Sequence, residues 1–123
     1  MTDPLKLSAA ELGHAFEINQ SDPVEVVEAF FDSIQESKLK NRIYVTLTKA
    51  RAVSEAEDSR KRQRQNLRLG PLDGVPVSWK DLFDVAGYET NAGSNLLKGR
   101  ASKNDCSALK NASMNGLVTL GKT

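Results

Sequence analysis

The sequence predicts an α/β protein in which helices come first and strands come late. Two amphipathic stretches with helix-start signals fill the first forty residues. A strand–helix–strand succession fills the last fifty, with a strand at Val75–Trp79, a helix after Asp105 and a strand at Leu117–Leu120. That order is a βαβ pattern, for which a parallel pair and a right-handed crossover are expected. A sheet with so few elements to cover its faces reads as the front part of something larger, so the expected fold is incomplete.

Ser8 followed three residues later by Glu11 forms a capping box and opens a helix over about Ala9 to Asn19, with Leu12, Ala15 and Phe16 on its apolar side. His14 lies among them, with no second histidine and no cysteine pair to make a metal site, and reads as a helix-surface residue. Asp22-Pro23 gives the next start signal, with the proline at a position where no N–H is needed. Val24, Val27, Phe31 and Ile34 then recur at helical spacing to about Ser37. Ile43–Leu47, β-branched and aromatic, predicts a short strand. From Lys49 to near Arg68 a helix with only a thin apolar side (Ala50, Val53, Ala56, Leu67) is expected on the surface. Its basic run Arg60-Lys61-Arg62-Gln63-Arg64 reads as a solvated face, with Glu57–Lys61 and Asp58–Arg62 at the supportive i, i+4 spacing and no interleaved aromatic for base stacking. Leu82–Arg100, rich in glycine and asparagine, reads as a long loop, which in a compact domain is more often functional than idle. Asp105 or Ser107 can cap a helix over about Ser107–Met114, before the last strand.

The chain has 123 residues, enough for one modest domain, and its 17 basic and 16 acidic residues leave no bulk charge to favour nucleic acid or an acidic membrane. A single cysteine, Cys106, excludes an internal disulfide and a cysteine-based zinc site. The N-terminal MTDPLKLSAAEL has no apolar leader-like run, and a cytoplasmic location with no membrane partner is the expectation.

The stretch GPLDGVPVSWKD, Gly70–Asp81, carries the densest chemistry. Turn signals at Gly70-Pro71 and Asp73-Gly74 lead into a strand in which Val75, Val77 and Trp79 alternate with Pro76 and Ser78. Pro76 has no N–H for a ladder, so this strand belongs at an edge or begins after it. Lys80 then falls at the strand's carboxyl end, where open α/β sheets gather their sites. From pattern alone it is equally a surface lysine paired with Asp81 or Asp84. Gly116–Thr123 fits G-x-x-x-x-G-K-[ST] by letter. A phosphate loop, however, needs a flexible loop opening a helix, and here the intervening residues are strand formers. No nucleotide is therefore expected.

The run GPLDGVPVSWKDLFDVAGYETNAGS resembles the most characteristic N-terminal block of the amidase signature family, and the ending NGLVTLGKT resembles its next block. LSAAEL and SDPVEVVEAFFDSI are similar to its two N-terminal helices. The resemblance implies the start of a mixed central sheet: residues 1–123 as the N-terminal part of one amidase domain, 1–69 a mainly helical lead-in and 70–123 the start of the catalytic core. It also implies hydrolysis of small-molecule carboxamides by a serine, a cis-serine and a lysine, without cofactor, metal or nucleic acid, and leaves the oligomeric state open. Lys80 corresponds to the lysine, which as a neutral amine takes the serine proton through the bridging cis-serine. Val77, Trp79, Leu82 and Phe83 suggest a dry setting for it. Ser78, Ser94, Ser102, Ser107 and Ser113 match neither serine of the family, and Asn91 stands where Thr or Ser is common. The family's serines lie downstream of G-K-T, so the isolated chain is expected to be inactive. Leu82-Phe83-Asp84 after the Lys-Asp pair looks closer to general amidases than to the glutamyl-tRNA amidotransferase component that releases ammonia from glutamine. That component, and a non-catalytic remnant or interaction module, remain the alternatives.

Overall fold

The computed structural model describes residues 3–123; Met1 and Thr2, the start of the N-terminal stretch without a leader-like run, lie outside the described residues. Helix α1 (Ala9–Glu17) begins at the expected capping box, the Glu11 N–H donating to Ser8 Oγ at 3.2 Å and the Ser8 N–H to Glu11 Oε2 at 2.7 Å. It ends short of Asn19, which turns to φ 58° and stops it. Helix α2 (Pro23–Glu36) opens on Asp22, whose Oδ1 accepts the N–H groups of Val24 and Glu25 at 2.8 and 3.2 Å.

Between the helices and the sheet the chain departs from expectation. Lys40–Ile43 form one helical turn, α3, and only Thr46–Leu47 pair as a strand, β1. Ile43 and Val45 have strand-forming side chains but stay exposed; Val45 makes one hydrogen bond to the Lys122 carbonyl at 2.8 Å, and propensity without a continuing ladder does not make a strand. Helix α4 (Lys49–Arg64) stops four residues early. Asn66, at φ 57°, provides the left-handed cap, and the Leu67 N–H reaches back to the Arg62 carbonyl at 2.8 Å in a Schellman closure. The buried face of α4 keeps Ala56 of the predicted side, with Val53 half-buried, but is otherwise different. Ala52, Ala56, Ser59 and Gln63 are buried, whereas Ala50 and Leu67 are exposed. Its small alanines let the helix lie between α2 and the sheet, in a core with Val24, Val27, Phe31, Val118 and Leu120. A second cluster, Leu12, Phe16, Val26 and Val75, packs α1 and α2 against the lead-in to the next strand.

Strand β2 (Pro76–Trp79) and helix α5 (Ser107–Met114) lead to strand β3 (Val118–Lys122), which runs on through the Gly-Lys pair that the sequence left outside it. The sheet order is β1-β3-β2, with β3 antiparallel to β1 and parallel to β2. The fold is thus mixed α/β, with the helices first, and β2 is an edge among the described strands, where Pro76 is tolerated. The register between β2 and β3 slips once: Val77 faces Thr119 but Ser78 faces Gly121, so Leu120 is an extra residue on β3.

Helix α5 starts at Cys106 without a side-chain cap; Asp105 is occupied elsewhere. Its carboxylate takes both arms of Arg51 at 2.7 and 2.8 Å and the Ala86 N–H at 2.8 Å, tying the long loop to α4. That loop is irregular, as expected, apart from a short 3-10 turn at Asn95–Leu97 and one bridge between Glu89 and Ala101. Among the described residues no helix is long and apolar enough to cross a membrane.

Candidate functional site

Lys80 leaves the end of β2 between two rungs that hold its backbone to the end of β3. The Thr123 N–H donates to the Trp79 carbonyl at 2.7 Å and the Asp81 N–H to the Thr123 carbonyl at 2.9 Å. Immediately after it the chain turns back, the Leu82 and Phe83 N–H groups both donating to the Lys80 carbonyl at 2.6 and 3.1 Å. The lysine side chain is exposed and lines a cavity of about 510 Å³ whose wall includes Asn91, Gly93, Ser94, Val45 and Thr123. The dry setting expected for it is not formed by the described residues. Leu82 is 61% exposed, and Phe83 turns away to meet the Trp79 ring edge-on at 5.7 Å.

Asp81 does not pair with Lys80. It is 6% exposed and meets Lys122, the fully buried lysine of β3, through Oδ1 at 2.9 Å. This contact is an ion pair without the directionality of a hydrogen bond. Lys122 Nζ also donates to the Glu89 carbonyl and to Thr90 Oγ1, each at 2.7 Å. Two of the ammonium's three donors make these hydrogen bonds, and the Asp81 carboxylate beside it balances its charge. The Gly121-Lys122 pair of the phosphate-loop pattern therefore sits inside a strand with its lysine occupied, which agrees with rejecting a nucleotide there. The other Asp81 oxygen accepts the Asn91 N–H at 3.3 Å, and its carbonyl accepts the Ala92 N–H at 3.0 Å. Ala92 has φ 49°, an uncommon conformation for a residue with a Cβ. Sequence reasoning missed this network. Lys122 was legible as part of a phosphate-loop pattern to discard and of the family-like ending NGLVTLGKT, not as a structural ion-pair partner, and its partners lie 32, 33 and 41 residues away.

Of the serines, Ser78 shares a 2.6 Å hydrogen bond with the Tyr44 hydroxyl, and Ser113 receives a hydrogen bond from Arg51 at 3.1 Å. Ser94 shares the Lys80 cavity, but its Oγ accepts the Leu96 N–H at 3.2 Å and holds the turn that follows.

Two arginines of the basic stretch of α4 are fastenings, while Lys61 and Arg64 stay exposed as the solvated-face reading expects. Arg60 donates to Asp22 at 2.8 and 3.0 Å, and Arg62 grips Asp73 with two 2.7 Å hydrogen bonds. Arg62, expected to pair with Asp58 one turn away, is held by the distant Asp73 instead. Asp73 is fully buried in the turn that precedes β2, and its Oδ2 also takes the Leu69 N–H at 2.9 Å. Burial pushes the Asp73 carboxyl up, but the Arg62 fork and the Leu69 N–H outweigh it and hold the group below the usual carboxylate range. The Gly74 N–H then donates to the Gly116 carbonyl at 2.8 Å, joining this turn to the lead-in of β3. So the run ending in Lys80 is anchored at its start by Arg62 and at its end by β3.

The profile of the Amidase family matches residues 25–123. The mitochondrial glutamyl-tRNA(Gln) amidotransferase A subunit of Ornithorhynchus anatinus is 37% identical over 119 residues, covering 97% of this chain and 22% of the relative. Its counterpart in Thermobifida fusca (strain YX) is 37% identical over 123 residues, covering 100% of this chain and 25% of the relative. The native peptide amidase of Stenotrophomonas maltophilia superposes with a TM-score of 0.87 at 26% identity, covering 96% of this chain and 24% of that one. The chain thus spans about a quarter of the length of the relatives it matches. With a family profile over most of its residues and a shared fold, the chain belongs to the amidase signature family.

Proposed function

We propose that the protein carrying this chain is an amidohydrolase that cleaves carboxamide C–N bonds through a serine, a cis-serine and Lys80, with Lys80 as the general base. The observation that carries this reading is the placement of Lys80. It follows the last residue of β2, its backbone is held by β3, and it lines a cavity walled by the Asn91–Ser94 turn. A general base must be fixed within hydrogen-bond reach of its proton donor, and a backbone tied on both sides of Lys80 supplies that. The base must also be a neutral amine. Exposed Leu82 and the neighbouring cavity wall supply apolar surface against which further protein can exclude water. The two serines are proposed to come from downstream of G-K-T, and residues 1–123 alone are proposed to be inactive. The test is Lys80→Ala and Lys80→Arg in the intact gene product, assayed on a panel of aliphatic and aryl amides. Loss of general-base catalysis lowers kcat by about 10²–10⁴-fold. Arginine does not rescue it, because a guanidinium keeps its proton. Unchanged turnover in Lys80→Ala, or amide hydrolysis by the 123-residue chain alone, refutes the assignment.

A second reading, the glutamine-hydrolysing component of a glutamyl-tRNA amidotransferase, is favoured by the names of the relatives that are 37% identical. The Leu82-Phe83 pair after Lys80-Asp81 favours the general amidase. Ammonia release from glutamine, with no turnover of simple amides, selects the amidotransferase.

A further inference from the structure

We propose that Lys122 is a positioning residue for Lys80, acting through Asp81 and resting on the general-base reading above. Lys122 occupies a strand position whose neighbours Val118 and Leu120 are apolar, and its side chain is 0% exposed. A buried ammonium is costly unless paired, and an apolar side chain would fill the space without that cost. The arrangement it makes possible is specific. One amine joins β3 to the residue directly after Lys80 and, through Glu89 and Thr90, to the segment that leads into the cavity wall. Asp81 extends the tie: one carboxylate oxygen meets Lys122, the other takes the Asn91 N–H, and its carbonyl takes the Ala92 N–H. Ala92 holds its left-handed φ of 49° between those anchors. Such a conformation persists where the surroundings over-determine it. The backbone bearing the proposed base and the wall of the cavity it shares are therefore one unit, and Lys122 is its fastener. Removing it leaves Lys80 chemically intact but free to shift against the Asn91–Ser94 turn.

The experiment uses the intact gene product with Lys122→Met, Asp81→Asn and both together, measuring kcat and KM per folded active site. Misplacement of a catalytic group by about 1 Å costs about 10²-fold, so Lys122→Met is expected to lower kcat by that order with KM within about threefold. In the Asp81→Asn background the same change costs little more, since the tie is already cut. Hydrogen exchange supplies a readout that does not depend on the identity of the base. Peptides spanning residues 89–94 exchange at least about tenfold faster in each single variant, while those spanning residues 24–33 of α2 do not change. A kcat per folded site equal to that of the parent overturns the proposal, as does faster exchange spread evenly over both regions. If Lys122→Met fails to fold, Asp81→Asn carries the same two measurements. An active Lys80→Ala protein strikes the general-base reading instead, and the local exchange still decides whether Lys122 fastens the segment.

Discussion

Replacing Arg62 by methionine removes the anchor at the start of the run that carries Lys80, and its cost can be worked from the contacts. Asp73 is fully buried and accepts three hydrogen bonds, two of 2.7 Å from Arg62 and one of 2.9 Å from the Leu69 N–H. Arg62→Met leaves an enclosed carboxylate with a single donor. Breaking a buried ion pair from one side costs about 3–5 kcal/mol. The Arg62 side chain is 25% exposed, so water can enter where it leaves, and the lower end, about 3 kcal/mol, applies. In urea, with a slope of about 2 kcal/mol/M, the unfolding midpoint falls by about 1.5 M at pH 7. The Asp73 carboxyl is held below its ordinary range, so its contribution is fully present above the unfolded value of about 3.9 and is lost as pH falls through the folded one. The gap between parent and variant therefore narrows toward pH 3. Adding Asp73→Asn to the variant recovers part of the loss, because no unpaired charge remains buried. A midpoint within about 0.2 M of the parent at pH 7, or a gap that holds its size into acid, refutes this account.

Two further substitutions probe the sheet. Burial pushes the Glu55 carboxyl up, and the Thr119 N–H at 3.0 Å together with Arg51 and Ser113 does not reverse this. A carboxyl raised in the folded state favours folding most below its unfolded value and loses that contribution as pH rises. Glu55→Gln, which keeps an acceptor for Thr119, should therefore improve relative to the parent between pH 4 and pH 7 in paired thermal melts. A deficit that grows with pH would mean that the Arg51 ion pair outweighs burial. Gly121 leaves no room for a methyl group, since a Cβ there would lie 2.5 Å from the Thr46 carbonyl and 3.0 Å from Tyr44 Cδ1. Gly121→Ala should push β1 off β3 at about 1–3 kcal/mol and lower Tm by several degrees, whereas an unchanged Tm would show that β1 gives way freely.

Features whose causes lie within a few residues of one another were legible in the sequence. The Ser8–Glu11 capping box, the Asp22-Pro23 helix start and the turn into β2 all appear where local chemistry puts them. Lys80 at the end of β2 was legible for the same reason. Features that depend on distant partners were not. Ile43 and Tyr44 failed as a strand because β3 reaches only as far as Val45 and Thr46. Arg62 was read against Asp58 one turn away, yet its carboxylate partner lies 11 residues off, and that of Arg60 lies 38 off. A charged residue buried at a strand end, such as Lys122, leaves no periodic trace, because its burial is decided by an aspartate on another strand's exit.

The slip in register between β2 and β3 sorts the charges at this end of the sheet. Continued without the extra Leu120, the pairing of Val77 with Thr119 would bring Lys80 opposite Lys122. Two ammonium groups would then stand side by side on adjacent strands, where like charges repel, and Asp81 would lie past the strand end. With the extra residue, Lys122 faces Trp79 instead, and alternation along the chain turns Asp81 to the same side as Lys122 and Lys80 to the other. One lysine is thereby committed to the interior, neutralised and fixed, and the other is left open to the cavity. A one-residue deletion in β3 would thus place both lysines on one side of the sheet and Asp81 on the other, with no charged residue altered.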